Sequence, residues 1–307
     1  MPGLRSLLVS LLGRLAADTG DRAGAALGVL AFHLGVRRAV VSDNLARCLG
    51  LGGPARRRIA RRSYASMGAN FVVMWSIGRP WGPEHGVELW APAWQRAQFQ
   101  RHPSVVFLTL HLGCWEMAAR AVRLTWPRVL AYAKAQHDAA MDELINRQRA
   151  AAGIDVVMAR HGERTSAVTV LRALRAPVAL GLLADQKPSA DEGEPGWLFG
   201  VPTSCHRGPA FFARRAGVPL VMGFGLRLGA GRYRFFMGRP AMPDACGEAA
   251  LRQHAMDQVA AVAAAFPGQY FWHHRRFKGR PVELPPRSSQ PWRERGVRLL
   301  ADAPPPG

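Results

Sequence analysis

The stretch Phe107–Arg120 (FLTLHLGCWEMAAR) holds the residues best suited to chemistry. An apolar run of strand length ends at Leu110, His111 follows at once, Gly113 permits a tight turn, and Glu116 comes five residues after His111. On a continuous helix that spacing sets two side chains about 140° apart, too far round the axis for a pair. With His111 in the turn and Glu116 in the first turn of a following helix, the carboxylate can reach the imidazole. Glu116 would then fix the ring tautomer and stabilise the imidazolium, while the other ring nitrogen removes a proton from a hydroxyl. Backbone N–H groups near Leu112–Cys114, at the helix start, would face a developing oxyanion. On spacing alone, a strand-end histidine with a nearby glutamate is more often structural than catalytic.

The elements that must position this pair follow from hydrophobic periodicity. Ser104–Leu110, Arg128–Lys134, Pro177–Ala184 and Val218–Phe224 are apolar runs of strand length. Helical stretches near residues 115–124, 138–152, 164–175, 208–216 and 248–265 lie between or beyond them, and Leu226–Leu228 with Tyr233–Met237 reads as a hairpin. The alternation predicts an α/β fold, a central mixed sheet layered with helices. Residues 1–80 read as a helical, membrane-associating region broken at Gly52-Gly53-Pro54 and again around Arg79-Pro80-Trp81-Gly82. Residues 81–300 read as the catalytic α/β unit, continuous with it. The tail Ala303–Gly307 is expected to be loose.

Ala23–Val36 is an apolar stretch of fourteen residues bounded by Arg22 and Arg37-Arg38. That is short of the roughly 20 residues of a bilayer span. It suits a helix buried in the protein or one lying in a membrane interface, and its basic flank favours membrane contact on the cytoplasmic side. The earlier run Leu7–Leu12 is short and is followed by Arg14, which argues against a cleavable signal peptide. Arg56-Arg57-Arg58 and Arg61-Arg62 open a helix that continues through Tyr64, Met67, Phe71 and Trp75. A solvated basic face and contact with anionic lipid both explain those arginines.

Apolar residues make up 49% of the 307 and charged residues 20%, which excludes disordered and collagen-like classes. Lys and Arg number 41 against 21 Asp and Glu, a formal charge of +20 that favours anionic partners. Nucleic acid is one such partner. However, no helix-turn-helix, zinc-finger, RRM or KH pattern appears, and the arginines are spread along the chain, so no nucleic-acid role is expected. The cysteines (Cys48, Cys114, Cys205, Cys246) are scattered, which points to a reducing compartment rather than a disulfide scaffold. Cys205-His206 lacks companion ligands at zinc spacing, so no metal is expected.

Five segments, in order, resemble the bacterial lipid A biosynthesis (lauroyl/myristoyl) acyltransferases, within the wider lysophospholipid acyltransferase group. Arg37-Arg38 followed by Val41–Cys48 (VSDNLARC) is similar to the family's "RR…NL…C" segment, and His111–Glu116 (HLGCWE) to its His, four residues, Asp or Glu box. Leu183–Gln186 (LADQ) resembles its Asp-Gln strand end. Phe199–Pro202 with Gly208 and Val218-Pro219 fall where the family has a loop and strand, and Tyr270–Lys278 (YFWHHRRFK) resembles its "YxWxHRRFK" ending.

The resemblance covers most of the chain. It implies transfer of a fatty acyl chain from acyl carrier protein, or acyl-CoA, to a hydroxyl of a lipid A precursor or similar anionic membrane glycolipid. It further implies a peripheral or monotopic enzyme on the cytoplasmic face of the inner membrane. His111 becomes the base and Glu116 its partner, and no cofactor is needed because a thioester is already activated. The family's essential arginine, a bidentate grip for an acceptor phosphate, falls on Arg147 or Arg149. Asp185 and Gln186 are expected to bind substrate, Asp185 by orienting that arginine or the acceptor. Cys114 sits inside the turn at a position the family does not require, which argues against a thiol nucleophile. His273, His274, Arg275 and Arg276 suit a scaffold contact better than catalysis. A lysophospholipid or another lipid is the rival acceptor, since the same His/acid box would serve it.

Overall fold

The structure, a computed structural model, describes residues 11–79, 86–90, 97, 100–135, 138–159, 164–189, 192–279, 282–285 and 287. The tail Ala303–Gly307 and most of Leu7–Leu12 lie outside these. Three helices come first: α1 (Ala17–His33), α2 (Arg38–Leu49) and α3 (Gly53–Val73), the last running into a single 3-10 turn at Met74–Ser76. Strands β1 (Gly86–Trp90) and β2 (Val105–Thr109), helix α4 (Trp115–Arg123), β3 (Val129–Lys134), α5 (Ala139–Ala151), β4 (Ile154–Ala159), α6 (Arg164–Ala173) and β5 (Ala179–Leu183) follow. Then come β6 (Gly193–Leu198), β7 (Val201–His206), α7 (Gly208–Ala216), β8 (Leu220–Gly229), β9 (Arg232–Met237) and α8 (Glu248–Ala265).

Seven strands form one mixed sheet in the order β1-β9-β8-β2-β5-β3-β4. All neighbours are parallel except the β8–β9 hairpin. β2 and β5 are central and covered on both faces, which is why they read as unbroken apolar runs. Period 2 then sorts their side chains. Val106, Leu108, Leu180 and Leu182 join the core with Phe212 of α7 and Leu251, Ala255 and Val259 of α8. Val105, Phe107 and Ala179 face Ala118, Ala121 and Val122 of α4. The fold expected from periodicity is therefore the one present.

Four strands escaped the sequence reading. β1 pairs in parallel with β9, a partner well over a hundred residues away, and no local pattern signals that. β4 lies at the sheet edge and carries Asp155. β6 and β7 form a separate two-stranded antiparallel hairpin. Its Gly and Pro content hides β6, yet the turn is of a kind that sets hairpin twist: Phe199 (φ +55°) and Gly200 (φ +77°) both adopt positive φ. Burial of the Phe199 ring among the core aromatics compensates its backbone.

No single helix among the described residues is long and apolar enough to cross a membrane. Ala23–Val36 resolves into a two-sided segment. Gly20, Asp21, Gly24, Gly28 and Phe32 are buried, whereas Leu27, Leu30, Leu34 and Val36 are more than half exposed. The buried glycines lie four apart and let α1 meet α3 backbone to backbone: a methyl on Gly28 would overlap the Tyr64 carbonyl, and one on Gly24 the Gly68 carbonyl. Gly28→Ala should therefore cost about 1–3 kcal/mol of stability, as overpacking does. Gly181→Ala, whose nearest neighbour would be 4.0 Å away, should be close to neutral. Chemical denaturation of the two variants checks this.

Candidate active site

Parallel pairing sets β2 against β5 with Thr109 opposite Leu183. Two residues further on, the strands deliver His111 and Asp185 to the same carboxyl edge of the sheet, where open α/β folds gather their sites. The two side chains meet. His111 Nδ1 lies 2.8 Å from Asp185 Oδ1, and the His111 backbone N–H donates to Asp185 Oδ2 at 3.2 Å. Asp185 is 1% exposed and the His111 side chain 19%. Burial alone would raise the Asp185 carboxyl, but the His111 ring and its hydrogen bonds hold it below the ordinary aspartate value. An ionised carboxylate only accepts, so Nδ1 carries the proton and Nε2 is left as the basic nitrogen. The ring is flanked by Trp115 (centroids 4.9 Å) and Phe271 (5.8 Å), and the Gln186 side-chain nitrogen sits 3.3 Å from Nε2.

This arrangement corrects the pairing expected from sequence. Glu116 does lie in the first turn of α4, but its carboxylate is clasped by Arg149 of α5, Nη2 to Oε1 at 2.6 Å and Nε to Oε2 at 3.1 Å. A buried carboxylate takes the partner whose planar fork satisfies both oxygens, which a single imidazole N–H does not. The carboxylate on His111 is that of Asp185, so Asp185 orients the imidazole rather than an arginine. Burial would lower the Arg149 guanidinium, but Glu116 overrides it and holds it above its ordinary value. Arg147 is exposed and pairs with Glu143 one turn away. Of the two candidate arginines, only Arg149 reaches the His111–Glu116 box.

The oxyanion expectation also changes. The Leu112 N–H donates to Leu110 O at 2.8 Å within the turn and the Gly113 N–H to Gln269 O, beyond α8, at 3.0 Å, so both amides are already engaged. Cys114 is fully buried, and burial pushes its thiol up to about 12, which leaves no thiolate for catalysis.

The turn is held from behind by Asn70 and Arg227, which no local pattern singles out, by Asp21, and by the 270–278 ending. Gly113 adopts φ +54°, and a side chain there would overlap the Gly225 carbonyl. Asn70 of α3 donates to Gly113 O and accepts from Arg227 Nη2 at 2.6 Å. Arg227 Nε in turn reaches Asp21 of α1 at 2.7 Å, where Tyr233 OH also donates at 2.8 Å. Asp21 could have been noticed as an acid on the core side of an apolar helix, but its partner lies 206 residues away. On the other side, Phe271 N–H donates to His111 O, and Asn44 of α2 donates to Trp272 O and His274 O. Arg276 is buried and donates to Asp185 O at 2.8 Å, to Thr203 Oγ1 and to Ser204 O. These contacts make the 270–278 ending a brace for the site.

A mixed α/β sheet with a carboxylate-held histidine at its carboxyl edge is an enzyme-like site. The class is given by comparison with known proteins: a family model described as bacterial lipid A biosynthesis acyltransferase matches residues 5–279. The chain belongs to that family and is an acyltransferase. No curated protein matched the chain.

Asp185→Asn keeps the volume but removes the anionic acceptor on Nδ1, so acyl transfer should fall by at least about 10²-fold with the fold retained by circular dichroism. Cys114→Ala should stay within a few-fold of wild type. The pH dependence of stability has a definite sign. Burial, helped by Arg37 for His273 and by Arg276 for His274, lowers both imidazoles to about 4. The unfolded chain therefore binds more protons between about 4 and 6.5, and stability present above that window is lost as pH falls through it. Denaturation midpoints measured across the window should decline toward acid.

Proposed function

We propose that this acyltransferase moves a fatty acyl chain from acyl carrier protein to a hydroxyl of a lipid A precursor, or a closely similar anionic glycolipid, at the cytoplasmic face of the inner membrane. The observation that carries the reading is the His111 Nδ1–Asp185 contact, which leaves Nε2 as the basic nitrogen beside the Gln186 amide.

Nε2 takes the proton of the acceptor hydroxyl as the hydroxyl oxygen bonds to the thioester carbonyl carbon. Asp185 stabilises the imidazolium that forms. The Gln186 side-chain N–H, 3.3 Å from Nε2, is placed to receive the negative charge that develops on the carbonyl oxygen. When the tetrahedral intermediate collapses, the C–S bond breaks and the thiolate leaves with the proton held on Nε2. The products are an ester and the free carrier thiol. Arg149 and Glu116 neutralise each other and tie α4 to α5 beside the His111 turn.

Two further features support the partners. A formal charge of +20 suits both an acidic carrier protein and a phosphorylated acceptor. The exposed face of α1, with Leu27, Leu30 and Leu34, suits a helix lying in the membrane interface rather than crossing it.

The test is acyl transfer from radiolabelled acyl carrier protein to purified lipid A precursor in detergent, with His111→Ala beside the wild type. Wild type should label the glycolipid, and the variant should fall by at least about 10²-fold. Label appearing instead on added lysophospholipid would overturn the acceptor, and full activity in the variant would overturn the mechanism.

A further inference from the structure

Away from the catalytic edge, the first three helices enclose a groove of about 300 Å³ whose chemistry the reaction does not use. Arg38 and Ser42 of α2 and Arg56 and Arg57 of α3 line it, over a floor formed by Phe32 and Ala60. No carboxylate lines it, and among the described residues none of the three arginines forms an ion pair. Asp43, the nearest acid in sequence, is exposed and is not part of the lining. The first turns of α2 and α3 also hold no acidic residue and no side-chain cap. Three guanidinium groups thus share a groove with the positive ends of two helices, an arrangement that repels itself unless an anion is present.

The surroundings indicate which anion. Leu34 and Val36, both more than half exposed, lie in the loop between α1 and α2, two to four residues before Arg38 of the groove. A ligand held by these arginines therefore lies beside an apolar face, as the headgroup of an amphiphile would. Arginine forks suit phosphate oxygens taken two at a time, and Ser42 adds a hydroxyl donor. We infer that the α1–α2–α3 groove binds the phosphate of an anionic membrane phospholipid, seating the enzyme with the exposed Leu34 and Val36 at the interface. This extends the membrane contact proposed above and rests on it.

The full chain, co-sedimented with vesicles of phosphatidylcholine alone and of phosphatidylcholine mixed with phosphatidylglycerol, tests the two separately. Binding to both vesicles with clear preference for the anionic ones is expected. Arg56→Gln with Arg57→Gln should reduce binding to anionic vesicles by at least about tenfold. Arg172→Gln with Arg175→Gln, an exposed pair on and just after α6, should change it less than about twofold. Arg56→Lys with Arg57→Lys keeps the charge but loses the forks, and should also bind more weakly than wild type. Soluble glycerol phosphate at the lipid concentration should not release the protein.

Equal binding to both vesicle types, or Lys variants that bind as wild type does, would overturn the groove while leaving the apolar contact of α1 intact. Release by glycerol phosphate would overturn a lipid in favour of a free phosphate. Loss of affinity for acyl carrier protein with vesicle binding unchanged would assign the groove to the carrier. Failure to bind either vesicle would overturn the membrane reading and the groove together.

Discussion

The charge on Asp185 is the constraint around which the site is built. A carboxylate so deeply buried is tolerated only where hydrogen bonds and a partner offset its lost hydration. The His111 ring is one such partner, and the backbone N–H of the same residue supplies a second bond. Both come from the strand beside it, because parallel pairing brings the ends of β2 and β5 level. The carboxylate in turn decides the histidine's tautomer. One ion-assisted hydrogen bond therefore fixes the packing of the sheet edge and the chemistry available there.

Two more buried acid–base pairs surround the same turn. Glu116–Arg149 ties α4 to α5, and Asp21–Arg227 ties α1 to the end of β8. Asn70 links the second pair to the Gly113 carbonyl, so α1 and α3 and the His111 turn share one hydrogen-bond network. Burial would lower the Arg227 guanidinium, but Asp21 and the phenol of Tyr233 keep it above its ordinary value. Removing either member of such a pair leaves a charge without compensation, so helix position and turn geometry are coupled through it. The helices that carry the apolar face and the basic groove are thereby connected to the catalytic edge.

Much of this fold was legible in the sequence for a simple reason: buried parallel strands and amphipathic helices carry their own periodicity. The five helices from 115 to 265 and the strands ending at Leu110 and Ala184 were visible in that way. His111 and Asp185 were visible too, each as a polar residue closing an apolar run. What the sequence withheld was adjacency. Nothing local says that β2 and β5 are neighbours, so Glu116, five residues off, looked the natural partner and Asp185, 74 residues off, did not. Asn70, Arg227 and Gln269 were passed over for the same reason, since their partners come from other elements. β6 was hidden by its own Gly and Pro, and its hairpin rests on a positive-φ Phe199 that no propensity favours.

The central claim is that Asp185, not Glu116, holds His111 with its proton on Nδ1. Nitrogen-15 NMR of the His111 ring, at a pH of about 9 where an ordinary imidazole is neutral, reads this directly. The account predicts a protonated Nδ1 and a bare Nε2 in the wild type and in Glu116→Gln, with the Nδ1 proton signal shifted or lost in Asp185→Asn. A proton found on Nε2 in the wild type, or a ring signal that responds to Glu116→Gln and not to Asp185→Asn, would contradict it.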